Sequence, residues 1–244
     1  MIFYDLNLKG SNYNNDYNLI KEAYNFGWNY LNLQYSPEEF QNALDYKDKL
    51  VEEISTFAVE NKPLEINFGL NINSSNVNTV RKTVNRFRNK SDFISVFGGT
   101  NEINRVSLEN RHVDVLSRPY YKKNDCGLNH VLAKEAFKNQ VAIELCFKDI
   151  LTNFLSYRAK VLANFRDIIA LQRKFEFPLI ITTGSESIFD IRSPIDISNF
   201  FKVLGLNDRE IKNGLMEYPK SIVDFNKNRE NFLFEGVHIV NKDD

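Results

Sequence analysis

Histidine is scarce in this chain, with three residues among 244. His112 precedes a predicted strand, His130 lies in the first turn of a predicted helix, and His238 is near the C-terminus. A catalytic metal site needs several imidazole or carboxylate groups that converge on one point, and these positions do not offer that. The two cysteines, Cys126 and Cys146, form no CxxC pair, so neither a zinc site nor a disulfide framework is indicated.

The chain also lacks a large net charge and any apolar run of membrane-spanning length. Its formal net charge is −1, with 43% hydrophobic and 26% charged residues, which are ordinary values for a globular protein. The N-terminal residues have no basic region followed by an apolar stretch, so no signal peptide is predicted. We therefore expect a cytoplasmic protein without a membrane partner, in which any RNA contact comes from a local patch.

Apolar runs of strand length alternate with helical patterns along most of the sequence. Parallel strands need helical crossovers, and so many units in one domain favour a barrel. A doubly wound sheet is the alternative, but the sequence after the first strand is not GxGxxG. The prediction is an α/β fold, a TIM-like barrel of about seven parallel strands within a single domain, residues 1–231, followed by a tail or short extra strand, 232–244. The predicted strands are Ile2–Leu6, Trp28–Leu33, Leu64–Ile72, Phe93–Phe97, Val113–Leu116, Val141–Cys146 and Leu179–Thr183.

Helical patterns continue in the C-terminal half of the sequence. Asp149–Phe175 is predicted as one long helix, on which Arg158, Arg166 and Arg173 fall within roughly 80° and could form a basic stripe. A solvated helix face is the commoner explanation of such spacing. Asp208–Met216 and Pro219–Asn228 are predicted as two separate helices.

The carboxyl ends of the strands, where parallel barrels place their functional residues, are rich in amides and hydroxyls. They include Asp5, Asn7, Gln34 and Thr182. The glycines at 98–99 could approach a phosphate, although a tight turn is the simpler explanation. This end of the predicted barrel therefore offers polar groups but little catalytic chemistry.

The loop Arg118–Lys123, with sequence RPYYKK, joins three cations to two tyrosines beside a proline. Arg and Lys suit phosphates and Tyr stacks on unpaired bases, which favours an RNA contact. A solvated loop with tyrosines packed on the barrel rim explains the same sequence equally well. Together with cations of the long helix and of the loop after the seventh strand, the candidate RNA-binding residues are Arg118, Lys122, Lys123, Arg158, Arg166 and Arg192.

Several short motifs together resemble ribonuclease P protein component 3 of archaea, a family related to the eukaryotic thirty-kilodalton ribonuclease P subunit. The resemblance runs nearly from end to end. The motifs are Phe97-Gly98-Gly99, Asn104-Arg105, Asp114-Val115-Leu116, Gly127-Leu128-Asn129-His130 with Ala133-Lys134, Val141-Ala142-Ile143-Glu144 and Arg192-Ser193-Pro194-Ile195-Asp196.

This resemblance implies a barrel related to the polymerase-and-histidinol-phosphatase metallohydrolases and a subunit of the enzyme that removes the 5′ leader from precursor tRNA. In that ribonucleoprotein the RNA carries the catalytic centre and binds the magnesium. Family members pair directly with protein component 2 and act beside the other ribonuclease P proteins. The metallohydrolases typically carry His-x-His after the first strand, where this chain has Asp5 and Asn7. The resemblance thus implies no cofactor bound by this chain and no catalytic residue in it.

Two enzyme hypotheses compete with the subunit hypothesis. A metal-dependent phosphoesterase on the same barrel would need a site built from Asp5, Glu144 and His130, which the small supply of histidine disfavours. A barrel enzyme with a lysine Schiff base is weaker, because Lys134 and Lys148 lie outside the predicted strand interiors.

Overall fold

Seven parallel strands form one sheet in chain order in the computed structural model, which describes residues 1–56, 58 and 62–229 and the backbone of 232–234 and 237–238. The strands are β1 (Tyr4–Lys9), β2 (Tyr30–Tyr35), β3 (Glu65–Ile72), β4 (Phe93–Phe97), β5 (Val115–Ser117), β6 (Ala142–Cys146) and β7 (Leu179–Thr182). The helices are α1 (Tyr13–Asn25), α2 (Phe40–Ser55), α3 (Val77–Phe87), α4 (Asn101–Leu108), α5 (His130–Asn139), α6 (Lys148–Thr152), α7 (Leu155–Phe175), α8 (Pro194–Leu204), α9 (Asp208–Lys212) and α10 (Tyr218–Asn228). The predicted fold class, a TIM-like α/β barrel, is confirmed.

The sheet curls until its first and last strands are linked, which makes a nearly closed barrel. The Lys9 backbone N–H donates to the Ser185 carbonyl at 2.8 Å. The buried Asp5 carboxylate accepts from the Thr183 hydroxyl at 2.5 Å and from the Thr183 backbone N–H at 3.2 Å. The closure therefore depends on polar contacts at the carboxyl end of β7.

The amino-terminal end of the barrel is filled with apolar side chains and covered by α10. Tyr4 and Tyr30 stack with ring centroids 5.0 Å apart, and Ile222 and Val223 of α10 pack against the same cluster. A larger apolar cluster fills the space between the sheet and the surrounding helices. Burial of these two apolar layers drives folding. Polar groups are left to the carboxyl end of the barrel, as the sequence predicts.

A buried ion pair fixes the amino-terminal end of β5. The Asp114 carboxylate lies 2.7 Å from the Arg88 guanidinium and accepts from the Ile94 backbone N–H at 2.7 Å. Arg88 also donates to the Asn226 side chain of α10. The pair thus joins α3, β4 and α10, and removing one partner would leave an uncompensated buried charge.

The predicted long helix Asp149–Phe175 is wrong, because the chain is extended at Asn153 and Phe154 between α6 and α7. The Asn153 side chain donates to the Asp149 carbonyl at 2.6 Å, and the Thr152 hydroxyl donates to the Lys148 carbonyl at 3.0 Å. Such side chains compete with helical hydrogen bonds. The helical periodicity on both sides concealed the break.

The predicted separation of Asp208–Met216 from Pro219–Asn228 is also wrong. One helical run continues from α9 through a π-helical segment, Asn213–Glu217, into α10. Pro219 follows the π-helical segment, and the wider π turn accommodates the backbone N–H that proline lacks.

The C-terminal segment contains two short strands in the described backbone, β8 (Phe232–Phe234) and β9 (Val237–His238), which pair antiparallel. The remaining residues of 232–244 and the side chain of His238 lie outside the described residues. The division of the chain at 231 stays a prediction.

Candidate nucleic-acid interface

The carboxyl end of the barrel contains a buried polar network around Glu144 of β6. The Glu144 carboxylate accepts from the Asn7 amide at 2.6 Å, from the Thr182 hydroxyl at 2.5 Å and from the Ser117 hydroxyl. Asp5 is occupied by Thr183 in the same region. The strand-end polar residues therefore converge, but their carboxylate oxygens are already satisfied within the protein.

A second network beside it is centred on Gln34 of β2. The Gln34 side-chain oxygen accepts from the Ser95 hydroxyl at 2.6 Å and from the Asn71 amide at 2.9 Å, and its nitrogen donates to the Leu6 carbonyl at 2.6 Å.

Burial raises the pKa of the nearby Asp5 carboxyl to about 7, although hydrogen bonds from Thr183 and Asn7 lower it. Charge is thus disfavoured inside the barrel.

The metal set of the phosphoesterase hypothesis is not assembled. Within the described part of the chain, no group of three or more His, Cys, Asp or Glu side chains is placed to hold a metal ion. His130 is exposed at the first position of α5, and the carbonyl of His112 accepts from Arg88 at 3.2 Å, towards the amino-terminal end of β5. Neither histidine approaches Asp5 or Glu144 with a hydrogen bond or ion pair among the described residues.

Asn104 of α4 holds together two connections beside this end of the barrel, the turn after β4 and the segment between β5 and α5. Its amide nitrogen donates to the Pro119 and Gly127 carbonyls, each at 2.9 Å, and its oxygen accepts from the Gly99 backbone N–H at 2.9 Å. A Cβ on Gly127 would lie 2.0 Å from the Pro119 carbonyl oxygen, so only glycine fits there. The family motifs around residues 98–104 and 127 thus meet at one loop clamp.

The inner half of the loop Arg118–Lys123 is buried. The Arg118 side chain is 16% exposed, lies 3.1 Å from the Asp149 carboxylate and donates to the Cys146 sulfur at 2.9 Å. The Tyr120 hydroxyl donates to Asp149 at 2.6 Å, and its ring packs on Phe165. These contacts attach the loop to β6, α6 and α7.

In the outer half of the loop, Tyr121 and Lys122 are exposed to solvent. Tyr121 packs edge-on against Phe97, and the Lys122 ammonium lies 5.3 Å from the Tyr121 ring centroid. The Lys123 side chain is only 14% exposed, donates to Asn101 at 2.7 Å and lies 3.6 Å from Asp125. Lys122 is therefore the most accessible cation of the three in this loop.

A groove runs between this outer half and the first turns of α7, with an empty volume of about 530 Å³ that is open to solvent. Tyr157, half exposed, and Lys160 form its α7 side, and the Lys160 ammonium donates to Asn124 at 2.7 Å across the gap. Sequence reasoning missed both residues, because an unbroken helix 149–175 gives no reason to place its start beside the loop. We refer to this site, lined by Tyr121, Lys122, Lys123, Tyr157, Lys160 and Asn164, as the loop–helix groove.

The other predicted RNA-binding residues lie outside the groove. Arg158 donates to the Asn153 carbonyl at 2.8 Å and stabilises the break before α7. Arg166 is exposed further along α7. Arg192 donates to the carbonyls of Phe189 and Ile191 in its own loop.

The predicted basic stripe on the long helix does not extend to Arg173. Its guanidinium donates to the Glu210 carboxylate at 2.6 Å and to the Gly205 carbonyl at 2.7 Å. These contacts tie the end of α7 to α9, so Arg173 has a structural partner that periodicity alone does not reveal.

Comparison with known proteins identifies relatives over nearly the whole chain. A family model described as RNase P subunit p30 matches residues 2–231. Ribonuclease P protein component 3 of Methanothermobacter thermautotrophicus is 38% identical over 98% of this chain and 96% of its own length. The same component of Methanococcus maripaludis is 33% identical over 92% of this chain and 94% of its own length. A chain in the cryo-EM structure of archaeal ribonuclease P with mature tRNA superposes with a TM-score of 0.78 and 32% identity, covering 97% of this chain and 98% of that one.

No helix in the described part of the chain is long and apolar enough to span a bilayer.

Proposed function

The chain belongs to the RNase P subunit p30 family, and we propose that it serves ribonuclease P as a binding subunit that is not itself the catalyst. The family match makes it a protein subunit of the endoribonuclease that matures tRNA. Its own role is then to support the RNA that performs cleavage.

Two observations support the absence of catalysis by this chain. The oxygens of Asp5 and Glu144 are occupied by hydroxyl and amide donors of the barrel, so a metal ion would have to displace those donors. Among the described residues, no oxygen-rich set of ligands that could hold a metal ion in competition with these donors is gathered around Asp5 and Glu144. We therefore assign the magnesium of the holoenzyme to its RNA.

The loop–helix groove is the part of the surface that we assign to RNA. Lys122 and Lys160 supply positive charge at its rim, and Asp149, the one carboxylate among the described residues that line it, is already paired with Arg118. A chain with a net charge of −1 needs such a local concentration of cations to meet a phosphate backbone. Two lysines that have no carboxylate partner among the described residues, beside an acid that is already neutralised, are the observation that carries the proposal. Among the residues predicted to contact RNA, Arg118 has the role of positioning the loop.

The proposed partners are the ribonuclease P RNA, protein component 2 as a direct neighbour, the other ribonuclease P proteins and precursor tRNA as the substrate of the assembly. The related chain that was solved within archaeal ribonuclease P with mature tRNA supports this setting. The cytoplasm is the proposed location, as expected for a tRNA-processing subunit of archaeal type.

Removal of charge from the groove tests its assignment to RNA. We expect the double variant K122A/K160A to weaken binding to transcribed ribonuclease P RNA and to reduce the slope of log affinity against log salt by about two, one for each lost phosphate contact. The measurement is a salt series of filter-binding titrations. Alanines at Lys82 and Lys220, which are exposed on α3 and α10, serve as the matched control. An unchanged slope in K122A/K160A contradicts the assignment.

A further inference from the structure

The loop–helix groove has a polar floor that phosphate contacts do not explain. Asn164 of α7 is 4% exposed and lines the groove, and no hydrogen bond among the described residues involves its side-chain amide. The side chain is enclosed, but its amide atoms are not among the polar atoms that are sealed from solvent, so they remain accessible from the groove. Polar groups in such enclosed places are usually hydrogen-bonded. The position of Asn164 therefore points to a ligand or water that supplies a donor and an acceptor.

The walls of the groove are aromatic at the same place. Tyr157 is 47% exposed at the start of α7, and Tyr121 is 40% exposed on the opposite loop. Exposed tyrosine rings beside cations suit flat, π-bearing groups, because base stacking on an aromatic ring is favourable for every base. The three lysines of the lining favour a ligand that carries negative charge next to the flat group.

These features fit one chemical class. A nucleobase has a flat face for a tyrosine and an edge of donors and acceptors for an amide, and its flanking phosphates are anionic. A base within a duplex has both faces stacked and its pairing edge occupied, so it cannot enter such a groove. The fit is to a nucleotide that is unpaired, at a bulge, loop or strand end.

We propose that the loop–helix groove binds a single unpaired nucleotide of an RNA, with its base stacked on Tyr157 and its edge hydrogen-bonded to Asn164. Lys122 and Lys160 contact the flanking phosphates. This inference rests on the proposed RNA-binding function and makes it more specific, because it states which structural feature of the RNA the chain selects.

The break between α6 and α7 gives this site its geometry. Residues 153 and 154 are extended, and α7 starts anew with its first two turns beside the loop. The Lys160–Asn124 hydrogen bond spans the groove from α7 to the loop. The segment that sequence reasoning treated as a continuous helix thus builds one wall of the site.

Two RNA hairpins that differ at one nucleotide test the proposal with the full chain. One carries a bulged 2-aminopurine and the other the same base paired with uridine in an otherwise identical stem. We expect the wild-type chain to bind the bulged hairpin at least about fivefold more tightly and to quench its fluorescence through stacking. Y157L should lose this preference and the quenching, whereas Y157F should keep both.

The lysine and tyrosine variants separate this proposal from the proposed function. Y157L carries no charge change, so its salt slope should match that of the wild type while the preference for the bulge disappears. Equal binding of the two hairpins by the wild-type chain, or an unaltered preference in Y157L, overturns the nucleotide site. If that happens while K122A/K160A still flattens the salt dependence, the RNA surface stands without the nucleotide site. N164L provides a second test, since it removes the edge contact and leaves Tyr157 in place.

Discussion

Asp5 shows how single residues at the carboxyl end of this barrel favour structure over metal chemistry. Its carboxylate is fully buried and is held by the hydroxyl and backbone N–H of Thr183, which link β7 to β1. Burial raises its pKa to about 7, so near neutral pH the group is close to half protonated. A carboxyl group held in this way serves as a link between the first and last strands.

The raised pKa predicts a pH dependence of stability. Between about pH 4 and pH 7 the folded chain holds a proton on Asp5 that the unfolded chain releases, so the free energy of unfolding falls as pH rises through this window. The full change is on the order of 4 kcal/mol, because folding raises the pKa of Asp5 from 3.8 to about 7. We expect D5N to flatten the profile measured by urea unfolding from pH 4 to 8. The exposed Asp208, changed to Asn, is the control, and parallel profiles for D5N and the wild type would contradict the assignment.

At the scale of elements, the strands and most helices follow from hydrophobic periodicity, because runs such as Phe93–Phe97 are buried on both sides of a parallel sheet. The break before α7 does not follow from periodicity, since it depends on hydrogen bonds from Thr152 and Asn153 to the preceding turn. The loop Arg118–Lys123 was recognisable from its cations and tyrosines. Tyr157 and Lys160 could not be recognised from the sequence, because only the tertiary fold places the start of α7 beside that loop.

The Asn104 clamp gives a test of how the loops are held. N104A removes three buried hydrogen bonds and leaves the Pro119 and Gly127 carbonyls and the Gly99 N–H without this partner. We expect the free energy of unfolding to fall by about 3 kcal/mol, measured by urea denaturation. The neighbouring R105A breaks only an exposed pair with Glu109 and should change it by less than about 0.5 kcal/mol. Similar losses in the two variants would show that the clamp is not what fixes the loops.

In the whole molecule, the two ends of the barrel and the loop–helix groove differ in the side chains that they present. The amino-terminal end is closed by α10, and the carboxyl end is filled by polar groups whose carboxylates are hydrogen-bonded within the protein. The loop–helix groove combines accessible cations with exposed aromatic rings. This division suits a subunit that binds RNA at the rim of the carboxyl end, and it leaves other faces of a chain of net charge −1 for protein partners.

The most direct test of the central claim is reconstitution of precursor-tRNA cleavage with one component omitted. The ribonuclease P RNA and the other protein components would be assayed with and without this chain at low magnesium, where protein support of RNA folding matters most. We expect the cleavage rate to fall sharply when the chain is left out, and the chain alone to cleave nothing. An unchanged rate on omission, or hydrolysis of precursor tRNA by the isolated chain, would contradict it.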